Sequence, residues 1–132
     1  MKSVDTNIII RFLVNDDKKQ GQLVKKLFED TEKRGGSLLI SVPVLLEVLY
    51  VLKSVYGFKR EDILMALESL ITLPILIFEK TDVVQNFISA GKDIHLELDD
   101  LFIAMISRDS GCETTITFDK KAARSSLFEL LQ

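Results

Sequence analysis

The chain predicts an α/β fold: a three-layer α/β/α sandwich around a mainly parallel central sheet, with a small helical projection, in one domain over residues 1–132. Three observations carry this. Continuous apolar runs of strand length stand at Leu38-Leu39-Ile40 and Ile75-Leu76-Ile77-Phe78, as strands covered on both faces require, and Thr114-Thr115-Ile116-Thr117-Phe118 reads as a further strand. Stretches with helical spacing separate them, and that alternation calls for parallel strands joined by helices. Acids also stand directly after two strands, Asp5 after the first and Asp119 after the fourth. In open parallel sheets that is where ligands bind.

The first element is a very short buried strand ending in Ser3-Val4-Asp5-Thr6-Asn7, followed by a helix from about Asn7 to Val14. Taken alone, Asp5 reads as the cap of that helix. Asn15-Asp16-Asp17 is a turn that starts a second helix, Lys18 to Arg34, with Leu23, Val24, Leu27 and Phe28 as its inward stripe. Gly35-Gly36 stops it. After the strand Ser37 to Ile40, Ser41-Val42-Pro43 opens a helix, proline being suited to a first turn.

In that helix, Val44 to Leu52, Glu47 is the one ionisable acid or base. A helix apolar on nearly every face should be buried, and an unpaired charge there is costly. Glu47 must therefore meet a cation, be held neutral, or point into a solvated cleft; a structural ion pair is the plain alternative. Lys59 to Thr72 gives another amphipathic helix, Ile75 to Phe78 a strand, and Thr81-Asp82 the cap of a helix to Ala90. Lys92 to Leu98 is a loop holding the lone His95, with no zinc-ligand spacing around it. Asp99 and Asp100 open the next apolar helix; one caps it and the other has no such need. Thr114 to Phe118 is a strand, Asp119 follows, and Lys120, Lys121 and Arg124 lie on a short helix. Leu127 to Leu131 reads as an edge strand, with a helix end as the alternative.

Composition narrows the function classes. Hydrophobic residues at 47% and charged residues at 28% describe an ordered globular chain. No apolar run approaches the ~18 residues that span a bilayer, and an acid at position 5 argues against a leader, so a cytoplasmic, non-membrane protein is expected. Cys112 is alone, which excludes an internal disulfide and a multi-cysteine zinc site; it is expected as a small buried apolar residue. Net charge is −3, with a pI near 5.2 and no basic block. Any nucleic acid must then be held by a few local cations, not by a charged coat.

Asp5 and Asp119 end strands, and Glu47 and Asp100 lie early in helices that begin near the same sheet edge. Carboxylates drawn together repel unless a divalent cation relieves them. An oxygen-only set without His or Cys suits Mg2+ or Mn2+, and such sites hydrolyse phosphate esters. One histidine without a partner leaves no competing nucleophilic set, and no glycine-rich phosphate loop is present.

On Val4-Asp5-Thr6-Asn7, Ser41-Val42-Pro43 with Glu47, Asp100-Leu101-Phe102-Ile103-Ala104 and Thr117-Phe118-Asp119-Lys120-Lys121, the whole chain resembles the PIN-domain ribonucleases. Among these it looks most like the VapC toxins of toxin–antitoxin pairs. The resemblance implies an acidic site of Asp5, Glu47, Asp100 and Asp119. It also implies a supporting hydroxyl at Thr117, Thr6 and Asn7 orienting Asp5, and an alternative ligand at Asp99. It further implies a helical projection at about Val51 to Leu73, Mg2+- or Mn2+-dependent cleavage of RNA, a homodimer, and an antitoxin partner. Arg11, Lys120 and Arg124 are candidates to hold substrate phosphates; Lys121 reads equally as solvated surface. A housekeeping RNA-processing nuclease and a non-catalytic binding module of the same fold are the alternatives. A haloacid-dehalogenase-like phosphatase would want a second acid where Asn7 stands, and a phospho-receiver would want Asp where Glu79 stands.

Overall fold

In the computed structural model, which describes residues 1–132, Leu38–Ile40 (β2) is the middle strand of a three-stranded parallel sheet. Lys2–Ser3 (β1) pairs on one side, Lys2 opposite Leu38, and Leu76–Phe78 (β3) on the other, Leu38 opposite Leu76. Both ladders run on past the strands: Val4 N–H donates to the Leu39 carbonyl at 3.0 Å and Glu79 N–H to the Ile40 carbonyl at 2.9 Å. The buried first strand expected from sequence is corrected here. Lys2 and Ser3 are both exposed, because β1 is a two-residue end strand of this sheet, and burial begins only at Val4.

This sheet belongs to one of two compact units, Met1–Thr81; the other is Asp82–Gln132. In the first, α1 (Thr6–Leu13) buries Ile9 and Ile10. Helix α2 (Lys18–Lys33) is capped by Asp17, whose carboxylate accepts from Gln20 N–H at 3.0 Å. It ends in a two-bond glycine motif: Gly36 N–H reaches the Thr31 carbonyl and Gly35 N–H the Glu32 carbonyl, each at 3.0 Å. Gly35 has φ +65°, the left-handed conformation that glycine adopts without a Cβ penalty. Val24, Phe28 and Thr31 are the buried face of α2, whereas Leu23, expected inward, is exposed. Thr31 is tolerated inside because its hydroxyl donates to the Leu27 carbonyl at 2.7 Å.

Helix α3 (Val42–Ser54) buries Leu45, Val48, Leu49 and Leu52. It is not buried all round: Pro43, Glu47, Tyr50 and Ser54, spaced three or four apart, form an exposed stripe, with Tyr50 61% exposed. The apolar character of Pro43 and Tyr50 hides that stripe in the sequence. A glycine turn with φ +67° at Gly57 leads to α4 (Arg60–Ile71), which buries Ile63, Leu64, Leu67 and Leu70.

The second unit continues α5 (Thr81–Gly91) and contains α6 (Leu98–Asp109), whose Phe102 ring lies 5.1 Å from that of Phe87. Thr115–Thr117 (β4) and Phe128–Leu130 (β5) form a two-stranded parallel ladder, Thr115 opposite Phe128 and Thr117 opposite Leu130. A 3-10 turn at Ala122–Arg124 lies between them, in place of the expected short helix. Two further readings are corrected. The cap residue of α6 is Glu97, so Asp99 and Asp100 lie inside its first turn and neither caps it. Cys112 is exposed, since it stands in the turn after Gly111 (φ +97°), where the chain leaves α6. All five strands pair in parallel, three in the first unit and two in the second. No helix is long and apolar enough to cross a membrane.

Candidate functional site

Asp5 stands where β1 gives way to α1, and it does cap that helix: one carboxylate oxygen accepts from Ile8 N–H at 3.3 Å. Capping and a role in a site are compatible. A cap bond uses one oxygen, fixes the side chain, and leaves the other directed outward; Asp5 itself is exposed. The group seen to orient Asp5 is the Ile8 amide, while Thr6 is buried and Asn7 exposed. Asp5 borders two clefts. One, of about 500 Å3, is shared with Lys2, Ser41 and Val44; the other, of about 410 Å3, with Asn7, Arg11 and Gln20.

Glu47 lies on the exposed stripe of α3, so its charge stays in water and no buried partner is required. Glu47 lines neither of the clefts beside Asp5, and the burial that made its charge costly in the sequence reading does not arise.

Arg11 is occupied. Its Nε donates to Gln20 Oε1 at 2.7 Å, and one Nη donates to Asp16 Oδ1 and to the Tyr56 hydroxyl, both at 3.1 Å. Tyr56 in turn donates to Asp16 Oδ2 at 2.8 Å. The Tyr56 hydrogen bond, with the Asp16 charge adding to it, raises the Arg11 pKa above its ordinary value. These four side chains tie the end of α1, the start of α2 and the turn after α3 together.

The second unit repeats the pattern of Asp5. Asp119 follows β4, and its Oδ1 accepts from Lys121 N–H at 2.9 Å and Ala122 N–H at 3.3 Å. Thr117 contributes here, its hydroxyl accepting from Asp119 N–H at 3.0 Å. Asp99 and Asp100 are half-buried on the first turn of α6, and Asp99 Oδ1 accepts from Asp100 N–H at 3.0 Å. Lys120, Lys121 and Arg124 are exposed.

Asp5 and Glu47 thus belong to one unit, and Asp99, Asp100, Thr117 and Asp119 to the other. Within neither unit do three His, Cys, Asp or Glu side chains gather into a metal-holding cluster. Sequence reasoning missed Glu79, whose Oε1 accepts from Val42 N–H at 2.7 Å. The available signal was its position directly after β3, which repeats that of Asp5 after β1.

Comparison with known proteins matches residues 2–126 to the PIN domain family. The chain is 30% identical over 71 residues to a protein named VapC ribonuclease from Aquifex aeolicus (strain VF5). That alignment covers 54% of this chain and 52% of the relative, so the chain spans about half the length of the protein it matches. No solved structure matches it. The family match accords with the three-layer α/β/α class and with the parallel pairing of all five strands. With its match running from the second residue almost to the end, the chain belongs to the PIN domain family.

Proposed function

We propose that this chain is an endoribonuclease dependent on Mg2+ or Mn2+, acting through Asp5, Glu47, Asp100 and Asp119 as one PIN domain over residues 1–132. The observation that carries the reading is the way the two strand-end acids are held. Asp5 and Asp119 each spend one carboxylate oxygen on backbone amides and keep the other outside those bonds. Ligating carboxylates are commonly held in this way by hydrogen bonds behind them. Their chemistry fits a hard divalent cation, since every candidate donor is a carboxylate oxygen.

In this reading Asp5, Asp100 and Asp119 hold the cation, with Asp99 beside Asp100 and Thr117 fixing Asp119 through its backbone. When bound, the metal supplies charge stabilisation at the phosphoryl oxygens and a more acidic water. Glu47, exposed on α3, would accept the proton of the attacking water as its oxygen bonds to phosphorus and the phosphorus–oxygen bond to the leaving RNA hydroxyl breaks, that oxygen taking up a proton from solvent. Lys120 and Arg124, exposed beside Asp119, hold substrate phosphates; Arg11, engaged with Asp16, Gln20 and Tyr56, serves chiefly to brace α1. The similarity to a protein named VapC ribonuclease supports RNA as substrate; a toxin role with a cognate antitoxin, and assembly as a homodimer, are the further parts of this proposal.

Purified protein incubated with total RNA and Mn2+ should yield discrete cleavage products, and a chelator should abolish them. Intact RNA under both conditions, or cleavage indifferent to chelator, contradicts the reading.

A further inference from the structure

The start of α3 must satisfy amide donors that have no partner within the helix. Val42 N–H donates to Glu79 Oε1 at 2.7 Å. Pro43 has no N–H, and Val44 N–H reaches the Ser41 hydroxyl only at 3.4 Å. Leu45 N–H, bonded to the Ser41 carbonyl at 3.0 Å, is the first regular helical bond. Of the two side-chain bonds to first-turn amides, the short one therefore comes from a residue 37 positions away. Glu79 also donates its own N–H to the Ile40 carbonyl at 2.9 Å, so it grips the last residue of β2 and the first of α3, on either side of Ser41. Its turn is itself fixed: Lys80 adopts φ +59°, and the Thr81 hydroxyl donates to the Phe78 carbonyl at 2.9 Å. An anionic acceptor at a helix N-terminus is favoured by the dipole, and such bonds are the strong ones.

We infer that Glu79 is a positioning residue: by clamping Val42 to the end of β3 it sets the axial height and rotation of α3, and through them the place of Glu47. Five residues of helix, about 7.5 Å, separate Val42 from Glu47. Leu45, Val48 and Leu49 hold the opposite face of the same helix against the core, so loss of the Glu79 bond frays the first turn and lets α3 rock on that packed face, which shifts Glu47 without unfolding the helix. The inference rests on the nuclease reading, in which Glu47 serves the reaction.

The test compares wild type, E79A, E79Q, V42P and the double variant E79A/V42P in Mn2+-dependent RNA cleavage, below the melting temperature of each. Proline at the first helical position removes the donor that Glu79 accepts from and is otherwise well tolerated there. E79A should lower kcat about tenfold, the lesser end of what outer hydrogen-bond partners cost, with KM for RNA unchanged. E79Q, which keeps the acceptor oxygen, should recover most of the loss. V42P should resemble E79A, and the double variant should be no worse than either, since all three delete one bond. Wild-type kcat in E79A, no recovery in E79Q, or additive losses in the double variant overturns the role of Glu79. Absence of cleavage by the wild-type protein overturns the nuclease reading itself, and this role with it.

Discussion

Asp5→Asn should reduce metal-dependent RNA cleavage by more than about a hundredfold, above the usual range for residues that merely support a ligand, and leave the fold in place. The substitution separates two jobs of one side chain. Asparagine caps helices about as well as aspartate, so the bond to Ile8 N–H, at 3.3 Å in the wild type, can be retained. What disappears is the negative charge that a cation requires. Its favourable interaction with the α1 dipole goes as well, a matter of less than about 1 kcal/mol at an exposed position. Initial rates and melting curves recorded together check both halves of the expectation. Undiminished cleavage would remove Asp5 from the mechanism; a large fall in melting temperature would show that its weight is structural.

Phe102→Ala should cost about 3–5 kcal/mol, the usual range for deleting a buried ring. Phe102 is 1% exposed and lies on the helix that carries Asp99 and Asp100. Its ring meets that of Phe87, itself fully buried, at 5.1 Å with the planes 58° apart, a tilted contact of the kind aromatic pairs prefer. Alanine leaves a hole beside the Phe87 ring, and a cavity in a packed interior is only partly closed by relaxation. Against a typical domain stability of about 5–15 kcal/mol, such a loss is a large fraction of the whole. Phe12→Ala provides the comparison: Phe12 also touches a ring, Phe28 at 4.9 Å, but is 40% exposed, so its truncation should cost clearly less. Urea unfolding of both variants measures the difference. Equal losses would mean that the Phe87–Phe102 contact is not a centre of packing.

Where the physics is local, the sequence was a good guide. The apolar runs at β2 and β3, the Asp17 cap, the Gly35-Gly36 stop and the strand at Phe128–Leu130 each depend on a few adjacent residues, and each is found. Hydropathy misled where an apolar side chain faces water. Leu23 on α2 and Tyr50 on α3 are both 61% exposed; the first was counted in the inward stripe of α2, and the second made α3 look buried on all sides. The α6 cap was misplaced because three acids, Glu97, Asp99 and Asp100, compete for one position within four residues. Long-range partners left no trace at all. Arg11 meets Tyr56 across 45 positions and Glu79 meets Val42 across 37, pairings that appear only once the chain has folded. For the site, the acids at strand ends were legible because parallel strands place their C-terminal ends predictably. The amides that hold them, at Ile8, Lys121 and Ala122, were not, since a backbone donor has no letter in the sequence.

Calorimetric titration of Mn2+ into the wild-type protein, Asp5→Asn, Asp119→Asn and the double variant asks most directly whether distant carboxylates serve one ion. If they do, either change alone should weaken binding severely, and the two together should add little, because the first already dismantles the shared site. Affinity untouched by both substitutions, or losses that simply sum as for independent sites, would contradict the account.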